Sequence, residues 1–293
     1  MSLPNEAPSR PLGVRLGQVA LVVYLGLSIG LSVYSLSNGL PFNPDWALWT
    51  AVPDALERNA LYRADAPVPF VWSPVMGWVM AAVVLYVGFW PWAGLHLAAV
   101  TLLRDPALIL LTLGTWGFWL DLGGGNTFIF VFVAAVLALR GSRAAAYVYL
   151  ALLMLMPRPV QLPLAAWLLV RMPWTRLPFV AMALIHAIVV LASGYAADWI
   201  GAMFTFAPGQ HPYDLGPGRW LGPLWLLIGL PLAGWLLLKG RVGWAGLAAS
   251  PYLLPQYLLM PLLDLRRVSS ATRTGLVPLP EKGPTSAGAS EGG

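Results

Sequence analysis

Long apolar stretches separated by short polar or proline-rich breaks dominate this chain. A membrane-spanning helix needs about 20 apolar residues at a rise of about 1.5 Å per residue. Nine runs approach that requirement, and together they predict an all-α, polytopic transmembrane helix bundle of about nine spans. The runs cover residues 16–36, 74–103, 106–120, 126–140, 144–157, 159–170, 177–197, 220–238 and 242–264.

Two places in this pattern are irregular. The run 74–103 is longer than one span needs and contains Pro91, which predicts either one kinked helix or two half-helices. The runs 144–157 and 159–170 are short and meet at Pro157-Arg158-Pro159. Irregular backbone at membrane depth persists only where protein or water satisfies its polar groups, so short, proline-broken pairs of this kind often line a cavity.

Composition supports the membrane interpretation. Charged residues make up 10% of the chain and apolar residues 58%, with 15 tryptophans and a mean hydropathy of +0.71. We interpret residues 1–265 as one membrane domain. The remainder, 266–293, is rich in Ser, Gly and Pro without apolar periodicity, which predicts a disordered tail.

The net charge of +5 does not indicate a nucleic-acid partner, because the basic residues are scattered between apolar runs. If 74–103 is a single span, nine basic residues before the tail face one side and four the other, which predicts a cytoplasmic N-terminus in the plasma membrane. The nine are Arg10, Arg15, Arg104, Arg140, Arg143, Arg171, Arg176, Lys239 and Arg241. The odd number of spans then leaves Arg266 and Arg267 outside, against the same rule.

The interval 37–73, between the first and second runs, holds four of the 12 acidic residues. Asn43-Pro44-Asp45 has the form of a helix start, with Asn43 as cap and Asp45 in the first turn, and predicts a short helix over 45–58. Trp46 and Trp49 suit a helix in the headgroup layer. The helix macrodipole favours the ionised form of Asp45, which could then accept a proton from a hydroxyl group.

Other ionisable residues have simpler interpretations. Asp54 and Arg58 predict an exposed i, i+4 pair. Asp121 precedes glycines and predicts a turn residue. His96 and His186 lie inside apolar runs, where a hydrogen-bonded packing role is favoured over a functional one.

The order of several motifs resembles the polytopic glycosyltransferases of the GT-C class. The chain is most similar to glycosyltransferase family 87, the polyprenol-phosphate-mannose-dependent mannosyltransferases. The acid at the start of the loop is followed by Leu61-Tyr62 and Ser73-Pro74, and Ser250-Pro251-Tyr252 precedes Tyr257 near the end. Gly123-Gly124-Gly125-Asn126 resembles the family's Gly-Gln-x-Asn turn without its glutamine. Arg158-Pro159 stands where that family has a lysine followed closely by proline.

This resemblance implies a sugar carried on a polyprenyl phosphate and an acceptor hydroxyl on a lipid or glycan, both on the outer face. Asp45 would be the general base, a role typically worth about 10²–10⁴-fold in rate. Cations near the leaving phosphate would stabilise its charge, and a planar guanidinium suits phosphate oxygens. The expected substrate-binding residues are Arg158, His211, Arg219, Tyr62 and Asn126. No cofactor and no metal site is expected, although enzymes of this class differ in metal use.

Two alternatives remain open at this point. A transporter is disfavoured because the interiors of the predicted spans lack acids, and a non-catalytic membrane protein fits the shortness of the chain for this family. An intramembrane protease is less consistent with the sequence, which contains neither His-Glu-x-x-His nor Gly-x-Ser-x-Gly.

Overall fold

A computed structural model describes residues 26, 30, 33, 44–62, 70–205, 214 and 216–265. Every regular element in these residues is helical, and none of them is in a strand. The all-helical architecture is therefore confirmed for the described residues. The predicted first span, 16–36, lies outside the described residues except for Gly26, Gly30 and Val33, which are helical and exposed. The predicted tail, 266–293, lies outside them as well.

From Pro44 onward, the described residues form seven α-helices before the break at Pro157-Arg158-Pro159, and a π-helical segment, Val83–Val87, extends the second of them. They are α1 Pro44–Glu57, α2 Pro74–Ala82, α3 Phe89–Thr101, α4 Pro106–Leu113, α5 Trp116–Gly123, α6 Phe128–Leu139 and α7 Arg143–Leu155. The loop helix predicted over 45–58 is thus confirmed as α1.

In the part of the chain described after the break, six further α-helices and four 3-10 segments follow. The helices are α8 Leu162–Arg171, α9 Arg176–Ala192, α10 Ala196–Thr205, α11 Gly218–Leu221, α12 Trp225–Leu238 and α13 Val242–Ala249. The 3-10 segments are Pro159–Gln161, Pro173–Thr175, Gly222–Leu224 and Pro255–Asp264.

Side-chain caps begin three of the helices at polar residues between apolar runs. The Ser73 hydroxyl accepts the amide of Met76 at the start of α2, and the Ser142 hydroxyl accepts that of Ala145 at the start of α7. The Asp105 carboxylate accepts the amides of the first turn of α4, and Pro106 then takes the first helical position. The polar capping residues between the apolar runs therefore determine where these helices begin.

Two helix pairs are bent sharply. The run 74–103 turns by 111° between Val87 and Phe89, and the run 106–123 turns by 68° between α4 and α5. The first bend lies at Gly88, whose φ of 76° is a conformation that favours glycine. Pro91 sits in the first turn of α3, where a missing amide hydrogen costs little. The predicted irregularity is present, but glycine and not proline produces it.

The prediction of about nine spans is not confirmed. Two helices, Pro173–Ala192 and Gly218–Leu238, are long and apolar enough to cross a membrane, and counting each bent pair as one span gives up to four among the described residues. The 12 residues of α6 reach about 18 Å at 1.5 Å per residue and are almost entirely buried by other helices. The run 126–140 therefore forms the core of the protein.

The predicted last span, 242–264, is not a continuous helix. It divides into α13 and the buried 3-10 segment Pro255–Asp264, which packs against α5, α6 and α13. A Cβ atom at Gly117 would overlap the backbone of Pro255, and one at Gly243 would overlap the carbonyl of Met260. Glycine therefore permits the close approach of this segment to the core.

The predicted orientation assumed that 74–103 crosses the membrane once. The 111° bend in this run removes that assumption. A cytoplasmic N-terminus stays a prediction.

Candidate functional site

The turn between α5 and α6 meets the proline break through a direct hydrogen bond. Nη2 of Arg158 donates to Oδ1 of Asn126 at 2.9 Å, and the same oxygen accepts the Thr127 amide at 2.7 Å. The hydroxyl of Thr127 lies 3.5 Å from Nη2 and donates to the sulfur of Met156 at 2.8 Å. Two segments that are 32 residues apart in sequence thus share one buried polar contact.

Arg158 is an unusual cation because only 5% of its surface is exposed. Its backbone is extended, as the following proline requires, and it precedes the 3-10 turn Pro159–Gln161. The guanidinium lies over the ring of Phe128, with 5.5 Å between Cζ and the ring centroid. Its Nη1 atom is buried and has no hydrogen-bond partner in the described part of the chain. The break therefore holds a guanidinium with unused donor capacity.

Asp121 fixes the other side of the turn. Its two carboxylate oxygens accept the amides of Phe128 at 3.1 Å and Ile129 at 2.8 Å, which caps α6. Its backbone carbonyl accepts the amide of Asn126 at 2.8 Å. The predicted structural role of Asp121 fits these contacts, but the residue is fully buried in the last turn of α5 and not in the turn that follows.

His96 completes the support of the turn from α3. Its Nε2 lies 2.6 Å from the carbonyl oxygen of Asn126 and 3.7 Å from Oδ2 of Asp121, and its Nδ1 lies 2.9 Å from the carbonyl of Trp92. The indole of Trp92 donates to the carbonyl of Gly125 at 2.8 Å. His96 is thus a buried, hydrogen-bonded histidine, as predicted.

The last part of the chain adds aromatic rings to the same place. Tyr257 packs on Phe128 with ring centroids 5.0 Å apart, and Tyr252 lies 5.9 Å from Tyr257. Burial raises the pKa of Tyr252 to about 12, while the nearby Arg158 lowers it and Asp214 raises it. The Asp214 carboxylate accepts the amide of Leu253 at 2.8 Å, which holds this segment beside the loop before α11.

Helix α1 contacts the turn through Trp46. Gly125 has a φ of 61°, and a Cβ atom there would collide with the indole of Trp46. Trp46 also packs on Phe89, with centroids 5.1 Å apart. The structure describes the backbone of Asp45, in the first turn of α1, but its side chain lies outside the described part. The N-terminal end of α1 therefore lies beside the turn that carries Asn126.

The remaining predicted site residues do not share these contacts. The Tyr62 hydroxyl donates to the carbonyl of Trp72 at 2.7 Å, and its ring packs on Phe70 and Tyr195. Burial raises its pKa above the ordinary value, as do Tyr195 and Asp198. Arg219 is exposed at the start of the helix Gly218–Leu238. His211 lies outside the described residues.

Sequence reasoning did not select three residues that the structure brings to this place. The charges of Arg158 and Asp214 both act on the pKa of Tyr252, so these residues lie close to its ring, and the fully buried Gln161 follows Arg158 in the break. Neither the oxygen nor the nitrogen of the Gln161 amide has a hydrogen-bond partner in the described residues. Its position two residues after Pro159 in an apolar run was the available signal. We call Asn126, Arg158, Gln161, Asp214 and Tyr252 the Arg158 group.

Within the described chain, no cluster of three or more His, Asp or Glu residues could hold a metal ion. Comparisons of the chain with family models, with curated proteins and with solved structures found no match.

Proposed function

We propose that the protein is a GT-C-type membrane glycosyltransferase that moves a sugar, with mannose as the first candidate, from a polyprenyl phosphate to a hydroxyl of a lipid or glycan. One observation carries this proposal. Segments spread over more than 200 residues meet at one turn and one break, from Trp46, which lies against Gly125, to Tyr252, which reaches the turn through Tyr257. The residues of a functional site must lie together in the folded protein. Residues that only determine membrane topology do not need to meet.

Arg158 has the properties of a ligand for the donor phosphate. Its hydrogen bonds in the described residues go to the neutral oxygens of Asn126 and Thr127, and Nη1 is left over. A buried cation with an unused donor costs free energy unless an anion neutralises it. In the low dielectric of the interior, its attraction for phosphate oxygens is stronger than in water.

The reaction would divide between the two sides of the turn. The acceptor oxygen attacks the anomeric carbon while its proton passes to the Asp45 carboxylate. The bond between that carbon and the phosphate oxygen breaks, and the phosphate leaves with the electron pair. Arg158 would stabilise the charge on the phosphate. Tyr252, which stays protonated at neutral pH, would donate a hydrogen bond to a phosphate oxygen.

Transfer with Asp45→Asn tests the general base. We expect the purified wild-type protein to transfer sugar from labelled polyprenol-phosphate-mannose to membrane acceptor lipids, and the variant to be slower by about 10²–10⁴-fold. Asp54→Asn is the matched control, because Asp54 lies on the same helix and is 61% exposed in its pair with Arg58. Equal transfer by wild type and Asp45→Asn would exclude this role.

An ion-coupled transporter is the second candidate, and one observation favours it. Asp121 and His96, both fully buried, lie 3.7 Å apart and belong to the two bent helix pairs. Ionisable groups at broken helices are typical of carriers. Against this, both carboxylate oxygens of Asp121 and both ring nitrogens of His96 are hydrogen-bonded to backbone groups. Solute flux in reconstituted vesicles that responds to a proton gradient, together with no sugar transfer from any polyprenyl-phosphate donor, would favour the carrier.

A further inference from the structure

A groove lies between α8 and α12, at the end of both helices that is remote from the Arg158 group. It has a volume of about 470 Å³, in the usual range for lipid-sized or drug-sized ligands. Its lining is apolar apart from one cation, and consists of Ala166, Trp167, Val170, Arg171, Gly234, Leu237 and Leu238. Leu238 is 88% exposed, so the groove opens toward the surroundings of the helices.

Helix lengths separate this groove from the Arg158 group. The helix Gly218–Leu238 begins beside the late segment, where the Gly218 amide donates to the carbonyl of Pro251 at 2.7 Å. The groove residues Gly234, Leu237 and Leu238 lie 16 to 20 residues after Gly218, or about 24–30 Å along this helix. Helix α8 begins four residues after Arg158 and has 10 residues, so Arg171 lies about 15 Å along it from the break.

Positive charge surrounds the mouth of the groove. Arg171 lines it, and the exposed residues Lys239 and Arg241 follow Leu238 directly. Arg176 donates to the carbonyls of Leu169 and Val170, so it neutralises the negative end of α8. The acid known at this end, Asp264, accepts the amides of Gly243 and Trp244 and lies near Arg241. Cations therefore outnumber acids there among the described residues.

We propose that this groove holds one acyl chain of an anionic phospholipid, whose headgroup phosphate lies against Arg171 and Lys239. An apolar slot between membrane helices with basic residues at its mouth matches both parts of such a lipid. The site lies at the C-terminal ends of α8 and α12, away from the Arg158 group. It does not depend on the sugar-transfer reaction.

Two variants test separately the binding of the acyl tail and the binding of the lipid headgroup. A Cβ atom at Gly234 meets no heavy atom within 4 Å, so Gly234→Leu fills the groove without a clash in the protein. Gly94→Leu is the control, because Gly94 is also helical and has the same open space. The double variant Arg171→Gln/Lys239→Gln removes the charges, with the exposed Arg58→Gln as its control.

The experiment measures lipid retention by native mass spectrometry after equilibration with equal amounts of phosphatidylglycerol and phosphatidylcholine. We expect wild type and both controls to retain one phosphatidylglycerol, and the two groove variants to retain about tenfold less. Equal retention of both lipids by the wild type would overturn the headgroup assignment. Undiminished phosphatidylglycerol on Gly234→Leu would overturn the groove.

Dimers of the wild-type protein that disappear in Gly234→Leu would show that a second copy occupies the groove, and would also overturn the proposal. If Gly234→Leu fails to fold, the charge variant decides: retention within about twofold of wild type refutes the site, and a loss of about tenfold supports it.

Discussion

Arg158 places a permanent positive charge in the interior of the protein, and its neighbours explain how it is tolerated there. One amine group bonds to Asn126, and the guanidinium face lies on Phe128. Lysine could keep the charge but not the planar fork that serves Asn126 and a phosphate together. We therefore expect Arg158→Lys to fold and to raise the KM for the polyprenyl-phosphate donor by about tenfold or more. An unchanged KM would show that Arg158 does not touch the donor.

Gly125 carries the contact between α1 and the turn. We expect Gly125→Ala to lower the free energy of unfolding by about 1–3 kcal/mol for the overlap with Trp46, on top of the cost of its positive φ. Gly141→Ala isolates that second cost, since Gly141 has a φ of 92° and open space around it. Thermal unfolding in detergent compares the two. Equal losses would mean that Trp46 does not rest on Gly125.

The two acids Asp121 and Asp54 should differ sharply in their effect on stability. Asp121→Asn weakens two charge-assisted hydrogen bonds to the first amides of α6, and we expect a loss of about 2–3 kcal/mol. Asp54→Asn breaks an exposed pair with Arg58, and we expect a change within about 0.5 kcal/mol. Parallel unfolding curves measure both. A neutral Asp121→Asn would contradict the capping role.

Local spacing predicted the residues whose partners are near in sequence. The Asp54–Arg58 pair is confirmed at 2.8 Å, because four residues on a helix bring two side chains together whatever the fold. The partner of Arg158 lies 32 residues away, and only the packing of α6 and α7 decides that distance. A sequence pattern can therefore indicate Arg158 as a candidate site residue, but it cannot predict Asn126 as its hydrogen-bond partner.

At the scale of the elements, apolar run length predicted helices well and their bends poorly. The run 177–197 corresponds to α9, and 220–238 corresponds to the helix Gly218–Leu238. The bend in 74–103 was expected at Pro91 but lies at Gly88. Composition cannot separate these positions, because proline in a first turn is neutral whereas glycine at positive φ ends a helix.

The bend at Gly88 gives a direct test of this explanation. We expect Gly88→Val to lower stability by about 2 kcal/mol, since a β-branched residue strongly disfavours a φ of 76°. Pro91→Ala should change stability by less than about 1 kcal/mol, because Pro91 precedes the regular hydrogen bonds of α3. Thermal unfolding of both variants decides. A larger loss of stability in Pro91→Ala than in Gly88→Val would show that the proline produces the bend.

At the scale of the whole molecule, hydrophobicity predicted about nine spans, and two to four candidate spans are present among the described residues. An apolar helix can face lipid or other helices, and the run 126–140 is apolar because α6 is the core. The helices α9 and α12 are apolar and mostly exposed, as lipid-facing helices are. Hydropathy alone does not distinguish these two surroundings. The spans can therefore be counted only when the packing of the helices is known.

The crossing of Gly218–Leu238 can be tested with single cysteines, because the chain contains none of its own. We expect Trp220→Cys and Lys239→Cys to react with a membrane-impermeant maleimide from opposite sides of oriented vesicles, since 21 helical residues span about 30 Å. Both positions are exposed. Labelling of both from the same side would exclude a simple crossing of this helix.

The buried 3-10 segment Pro255–Asp264 also bears on how the molecule is made. It fits against Gly117 in α5 and Gly243 in α13, and its Tyr257 covers Phe128. A nascent chain in which this segment is still inside the ribosome has already released α5 and α6 without their covering surface. The cell therefore holds an incomplete core until the last turns of the domain emerge, and truncations before Pro255 should be cleared by quality-control proteases and not merely be inactive.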